Sequence, residues 1–227
     1  MGGTPLRICV AVPSHGGWQS GFGRSLVRMA THFAGVEYDG EKSLDVAVVK
    51  GSILPDVRHR CVMEAVKQDA THMLFLDSDM KFPPDLLARL LNHDQPIVGV
   101  NYPRKDGAGR TTAYADTDDF VGPLRTEEGS TGLVQVSHMG LGACLIDMRV
   151  FDALELPYFN FEPIEPHKVA FKGEDVFFFH KCSAAGIEAY CDQDLSKEIA
   201  HVGDFDYTHV FANSCYQEWQ NKYDEAT

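Results

Sequence analysis

The feature that most constrains how this chain folds is an alternation across its first hundred residues. Short apolar runs rich in Val, Ile, Leu and Phe are spaced by segments whose apolar residues recur at the helical period. Strands are predicted at 8–12, 45–49, 73–76 and 97–100, with helices at about 21–33, 55–69 and 84–93, each bounded by Gly, Pro or Asp where a cap belongs. Runs apolar on both faces suit a sheet covered by helices on both sides, so three turns of α/β winding are expected. From Arg104 to Gly132 the pattern dissolves into a polar, Gly- and Asp-rich stretch, too long for a plain connector, and a functional or mobile segment is expected there. Strand-like runs return at 133–136 and 143–146, a helix starts near Glu174, and a last one covers roughly 210–223. With no internal repeat, linker or low-complexity tract, residues 1–227 read as one domain.

Composition excludes several functions. Twenty Lys and Arg stand against 33 Asp and Glu, a formal charge of −13, which argues against coating nucleic acid non-specifically but leaves room for a local basic patch. The six cysteines form no C-x-x-C pair, and Cys9, Cys61 and Cys144 sit in core-like runs, so free buried thiols in a reducing compartment are expected. No run approaches the roughly 18 apolar residues of a membrane span, and the start lacks a signal-peptide apolar region, so a soluble cytoplasmic protein without a membrane partner is expected.

The most informative segment is His72-Met-Leu-Phe-Leu-Asp77-Ser78-Asp79, an apolar strand running into two acids one residue apart. Residues i and i+2 of an extended chain point the same way, so both carboxylates converge at the carboxyl edge of the sheet, where open α/β folds bind ligands. Such a pair suits a hard divalent cation bridging phosphate oxygens. Three other D-x-D triplets, at 116/118, 192/194 and 204/206, follow no buried strand and read as solvated loop acids.

With Asp77-Ser-Asp79 placed in this way, the chain resembles the GT-A glycosyltransferases of the compact, family-2-like phage and bacterial type, over nearly its whole length. Further elements carry the resemblance: Val10-Ala11-Val12-Pro13-Ser14 ending the first strand, Arg58-His-Arg60 at a helix start, Gly140-Leu-Gly142 before Ala143-Cys-Leu-Ile146, Gly173-Glu174-Asp175 opening a helix, and His201 near the C-terminus. The resemblance implies an open, mixed, Rossmann-like sheet flanked by helices and transfer of a sugar from a UDP-sugar to an acceptor hydroxyl, with inversion; retention, in which Asp175 would not act as the base, is the alternative. Pro13, Ser14, Arg58, Asp77, Ser78, Asp79, Gly140 and Gly142 would then bind the donor, and Asp77, Asp79 and His201 would hold Mn2+ or Mg2+. Asp175 would be the base that takes the acceptor proton, with Glu174 positioning the acceptor. His209 competes with His201, and helix capping is the alternative use of Glu174 and Asp175.

The acceptor is expected near Tyr102, Arg104 and Lys105, in a basic, glycine-bearing segment that reaches Arg110 and that could instead close over donor phosphates or form a solvated surface turn. Compact enzymes resembling this one are frequent in bacteriophage genomes, and some glycosylate hydroxymethylated pyrimidines in DNA. That implies a 5-hydroxymethylpyrimidine in DNA as one acceptor and the host cytoplasm as the setting, Arg24 and Arg28 extending the basic strip. A glycan, protein or small-molecule acceptor is the alternative. Two rivals come from other classes. A haloacid-dehalogenase-like phosphatase would carry its D-x-D after the first strand and without Met80-Lys81, and a non-catalytic nucleotide-sugar-binding module would not need Gly173-Glu174-Asp175.

Overall fold

The computed structural model describes residues 3–116, 121–164 and 170–226. In chain order it forms β1 (Leu6–Ser14), α1 (Ser20–Gly35), β2 (Lys42–Lys50), α2 (Leu54–Lys67), β3 (His72–Leu76), β4 (Met80–Lys81), α3 (Leu86–Asn92) and β5 (Ile97–Gly99). Next come β6 (Tyr114–Asp116), β7 (Val121–Pro123), β8 (Leu133–Val136), β9 (Ala143–Asp147), α4 (Arg149–Asp152), β10 (Glu162–Pro163) and β11 (Phe171–Lys172). The chain closes with α5 (Glu174–Ala184), β12 (Ala189–Asp192), α6 (Gln193–Ser196), β13 (Ala200–Val202), β14 (Asp206–Tyr207) and α7 (His209–Ala226).

Seven strands make the main sheet in the order β2-β1-β3-β9-β5-β12-β8. β1 pairs in parallel with β2 and β3, and β12 in parallel with β5, while β9 enters antiparallel between β3 and β5 and β8 runs antiparallel on β12. The sheet is therefore mixed and Rossmann-like. The third winding expected from the apolar runs skips one position, and β9 fills the slot.

Side-chain alternation explains the layers. Cys9 and Ala11 of β1, Met73 and Phe75 of β3, and Cys144 and Ile146 of β9 point to one face, under Val57, Cys61 and Val62 of α2 and Phe178, Phe179 and Cys182 of α5. Ile8, Val10, Leu74, Leu76 and Leu145 point to the other, against Phe22, Leu26, Met29 and Phe33 of α1 and Leu86, Leu87 and Leu90 of α3. A fully buried side chain such as Leu74 contributes about 1.5–3 kcal/mol of hydrophobic stabilisation. All six cysteines are free and five are buried. Burial pushes the thiols of Cys9, Cys61, Cys182 and Cys191 up to about 12, so they sit in the core as neutral, inert groups.

The polar stretch is more ordered than its composition suggests. Pro103 bridges Thr111, Tyr114 bridges His138, and β6 pairs with β7 around residues 117–120, which lie outside the described residues. Asp118 of the 116/118 triplet falls among them. The reading of Asp192 as a solvated acid is corrected: it is buried, accepts from Leu195 N as the cap of α6 at 2.8 Å, and lies 2.8 Å from His93 Nε2.

Candidate functional site

The parallel register of β1 on β3, Val10 opposite Leu74 and Ala11 opposite Phe75, brings the ends of both strands to one edge. Pro13-Ser14 therefore lies beside Asp77-Ser-Asp79, and α2 delivers Arg58 at the same edge. Asp77 N donates to Gly142 O at 3.0 Å, which fixes the start of β9 there too. Pro13, Ser14, Arg58, Asp77, Ser78 and Asp79 line one cleft of about 260 Å³, with His15, Gly16, Gly17 and Gly51 completing its wall. The last four were not anticipated, although a Gly-Gly pair just past a strand end was the available signal. A Cβ at Gly16 or Gly17 would meet nothing within 4 Å, so packing does not demand glycine there.

Arg58 is 3% exposed and holds two acids at once. Its Nε donates to Glu174 Oε1 at 2.9 Å and its Nη2 to Asp77 Oδ1 at 3.3 Å, with the guanidinium 5.1 Å from the Phe75 ring centre. Nη1 is buried and has no hydrogen-bond partner. Burial pushes the Asp77 carboxyl up, against the pull of Arg58. Glu174, expected to position the acceptor, is buried and engaged by Arg58.

Asp79 meets a different environment. Its Oδ2 accepts from Lys105 Nζ at 2.5 Å and lies 3.5 Å from His201 Nε2, and its Oδ1 is buried without a partner. Burial pushes this carboxyl up, but the hydrogen bonds of His201 and Lys105 outweigh it and leave it at about 2. His201 reaches this point by backbone register, because β13 pairs antiparallel with β4, His201 opposite Met80, and Val202 N donates to Asp79 O at 2.7 Å. His201 Nδ1 lies 3.0 Å from Pro103 O, which turns Nε2 toward Asp79. The spacing of Asp79 and His201 is open to one small cation with ligand bonds of about 2.1 Å. Asp77 faces Arg58 instead, and among the described residues no three His, Cys, Asp or Glu side chains gather as a metal cluster.

Lys105 points to Asp79 and Val202 O, 2.8 Å away, rather than outward. Its stem crosses Gly203, where a Cβ would lie 2.9 Å from Lys105 Cδ. Tyr102, expected on the acceptor side, is 5% exposed and braces the 140–142 turn. Its hydroxyl accepts from Gly142 N at 3.0 Å, and a Cβ at Gly140 or Gly142 would come within 2.3 or 2.7 Å of it. Tyr102 therefore gives both glycines a packing reason.

Asp175 sits at the start of α5, where Oδ1 accepts from Val176 N at 2.8 Å, and burial pushes its carboxyl above the usual range. Arg104 is exposed, 3.6 Å from Asp106, and shares that acid with Arg110. Arg24 and Arg28 line a separate hollow beside α1 with Lys81 and Glu198. His209 is buried, 3.1 Å from Asn101 O just past the end of β5.

Fold and cleft together define a Rossmann-like α/β protein whose paired charges gather at the carboxyl edge of a mixed sheet. The crystal structure of A197 from STIV is similar, with a TM-score of 0.56 and 19% identity over 88% of this chain and 87% of that one. At that identity the likeness carries the fold alone. No protein-family model and no curated protein matches the chain. Among the described residues no helix is long and apolar enough to cross a membrane.

Proposed function

We propose that this chain is a metal-assisted glycosyltransferase of the GT-A type, moving a sugar from a UDP-sugar to an acceptor hydroxyl with inversion. One observation carries the reading: two residues lining the same cleft each keep a buried polar atom without a partner, Arg58 Nη1, a cationic donor, and Asp79 Oδ1, an anionic acceptor. A ligand that satisfies both must bring negative and positive charge together, as a metal-complexed diphosphate does.

In this reading Arg58 binds the diphosphate and the 13–17 loop borders the nucleoside. Asp79 and His201 would hold Mn2+ or Mg2+, which when bound supplies Lewis-acid stabilisation of the leaving diphosphate. Asp175, its carboxyl raised by burial, accepts the acceptor proton as the hydroxyl oxygen attacks the anomeric carbon. Lys105 neutralises Asp79 until the donor arrives.

Calorimetric titration with UDP and Mn2+ tests the reading: binding should require the metal and be lost in Asp79→Ala, and metal-indifferent binding would overturn it. Asp175→Asn should keep donor binding and lose transfer, whereas a phosphatase or a binding module would lose nothing that depends on an acceptor. Incubating the enzyme with UDP-sugars and duplex DNA containing 5-hydroxymethylcytosine, followed by nucleoside mass analysis, tests DNA as the acceptor. No mass gain with any donor excludes it.

A further inference from the structure

We infer that the groove between α7 and the 107–111 loop binds an anionic saccharide. Its acceptor role rests on the transferase reading, whereas the binding does not.

The groove has a volume of about 730 Å³, larger than the donor cleft. Tyr216 and Trp219 stand three residues apart on α7 with near-parallel rings, centres 6.0 Å apart, and Trp219 is 59% exposed. The Arg125 guanidinium lies 3.7 Å from the Tyr216 ring centre and donates to Asn213 Oδ1 at 2.5 Å, so cation and ring are held together before any ligand arrives. Arg125 Nε is buried and has no hydrogen-bond partner. Arg110 and Lys222 add two cations to the lining, against the single carboxylate of Glu218. Arg110 is paired with Asp106 at 2.8 Å and Arg125 Nε lies 3.7 Å from Glu127 Oε1, so carboxylates border these cations.

The floor is built for close contact. Gly107 and Gly109 adopt left-handed backbone, with φ of +68° and +70°, and a Cβ at Gly109 would lie 2.6 Å from Ala212 O. The loop thus packs on the helix with no side chain to fill the hollow. Aromatic faces suit the C–H face of a sugar ring, and guanidinium and ammonium groups suit carboxylate or phosphate substituents at its edge. Bases also stack on such rings, but a polyphosphate chain needs a run of free cations. A net charge of −13 weighs against such a run, so a short anionic glycan is favoured over nucleic acid. The groove also adjoins the chemistry. Residues 107–111 line it, while Lys105 of the same segment pairs with Asp79 of the strand-end cleft.

The chain has two tryptophans, Trp18 and Trp219, so fluorescence of a Trp18→Phe variant reports Trp219 alone. Titration with tetrasaccharides of galacturonate, hyaluronate and heparin, alongside maltotetraose and the oligonucleotide dT8, is the test. At least one anionic tetrasaccharide should give a saturable change, weakened at least tenfold by Arg110→Ala with Lys222→Ala, both surface positions. An unchanged melting temperature in those variants separates lost contacts from misfolding. Equal binding of maltotetraose, preferential binding of dT8, or no saturable change with any anionic tetrasaccharide at millimolar concentration overturns the inference. UDP and Mn2+ binding is measured on the same protein. Its absence alongside saccharide binding would defeat the transferase reading and leave this one standing.

Discussion

The segment from Pro103 to Thr111 divides two regions built on opposite plans. On one side Asp77, Asp79, Arg58 and Glu174 are drawn from three elements, buried or half-buried, and locked by ion pairs. On the other, Tyr216 and Trp219 come from a single helix face, the first half-buried under Arg125 and the second exposed, with cations at the rim. A buried charged cluster is costly to desolvate and fixes one geometry, whereas exposed rings fix little and accept varied partners. Under the proposed function the first plan would suit a cofactor-like donor that never changes, and the second an acceptor recognised by general shape and charge.

The sharpest way to break this contrast is Asp79→Ala. Transfer should fall by about a thousandfold or more, as for other lost electrostatic groups, and metal-dependent UDP binding should vanish in calorimetry while groove fluorescence is unchanged. A matching loss in the groove would show that the two sides are one site. Asp175→Asn should cost about 10²–10⁴-fold in transfer at unaltered UDP affinity, measured by product formation.

The pH profile follows from the carboxyls, which their surroundings push in opposite directions. Asp175 is raised above the ordinary value of 3.8 and, as the proposed base, would have to be ionised to act, so kcat should fall on the acid side at a pH above 3.8. Asp79, depressed to about 2, stays ionised through that fall. Its ion pairing stabilises the fold above pH 3.8, and this contribution is lost as pH drops from 3.8 toward 2.

Stability should separate the regions as well. Arg58→Met leaves two buried or half-buried acids uncompensated and should cost about 3–5 kcal/mol in urea unfolding. Arg110→Ala, at a side chain 60% exposed, should stay within about 0.5 kcal/mol of the parent. The smallest effect is expected from Lys105→Met, which frees Asp79 and should raise Mn2+ affinity severalfold in calorimetry. No change there would mean that Lys105 does not compete for the carboxylate.

The sheet and the strand-end cleft were legible because local sequence encodes them. Apolar runs mark β1 and β3, and Pro13-Ser14 and Asp77-Ser-Asp79 mark their ends. What escaped depends on contacts between distant segments. β12 is only four residues long, yet it takes an inner place in the sheet. Lys105 turns to Asp79 because a glycine far along the chain, Gly203, lets its stem pass. Tyr102 was expected to meet the acceptor, and nothing in its own neighbourhood reveals the two glycines packed on its hydroxyl. The groove joins a loop and a helix that sequence alone gives no reason to pair.

The backbone pairing of β13 with β4 makes position 201 a socket. Main-chain hydrogen bonds, rather than the imidazole, set where it stands relative to Asp79, so its side chain is exchangeable without rebuilding the frame. An aspartate there would present oxygen and favour harder ions such as Mg2+, and a cysteine would present a soft thiolate and favour Zn2+. In the proposed reading the chain thus separates the placing of a metal ligand from the choice of its chemistry, which would make residue 201 the natural handle for retuning ion preference.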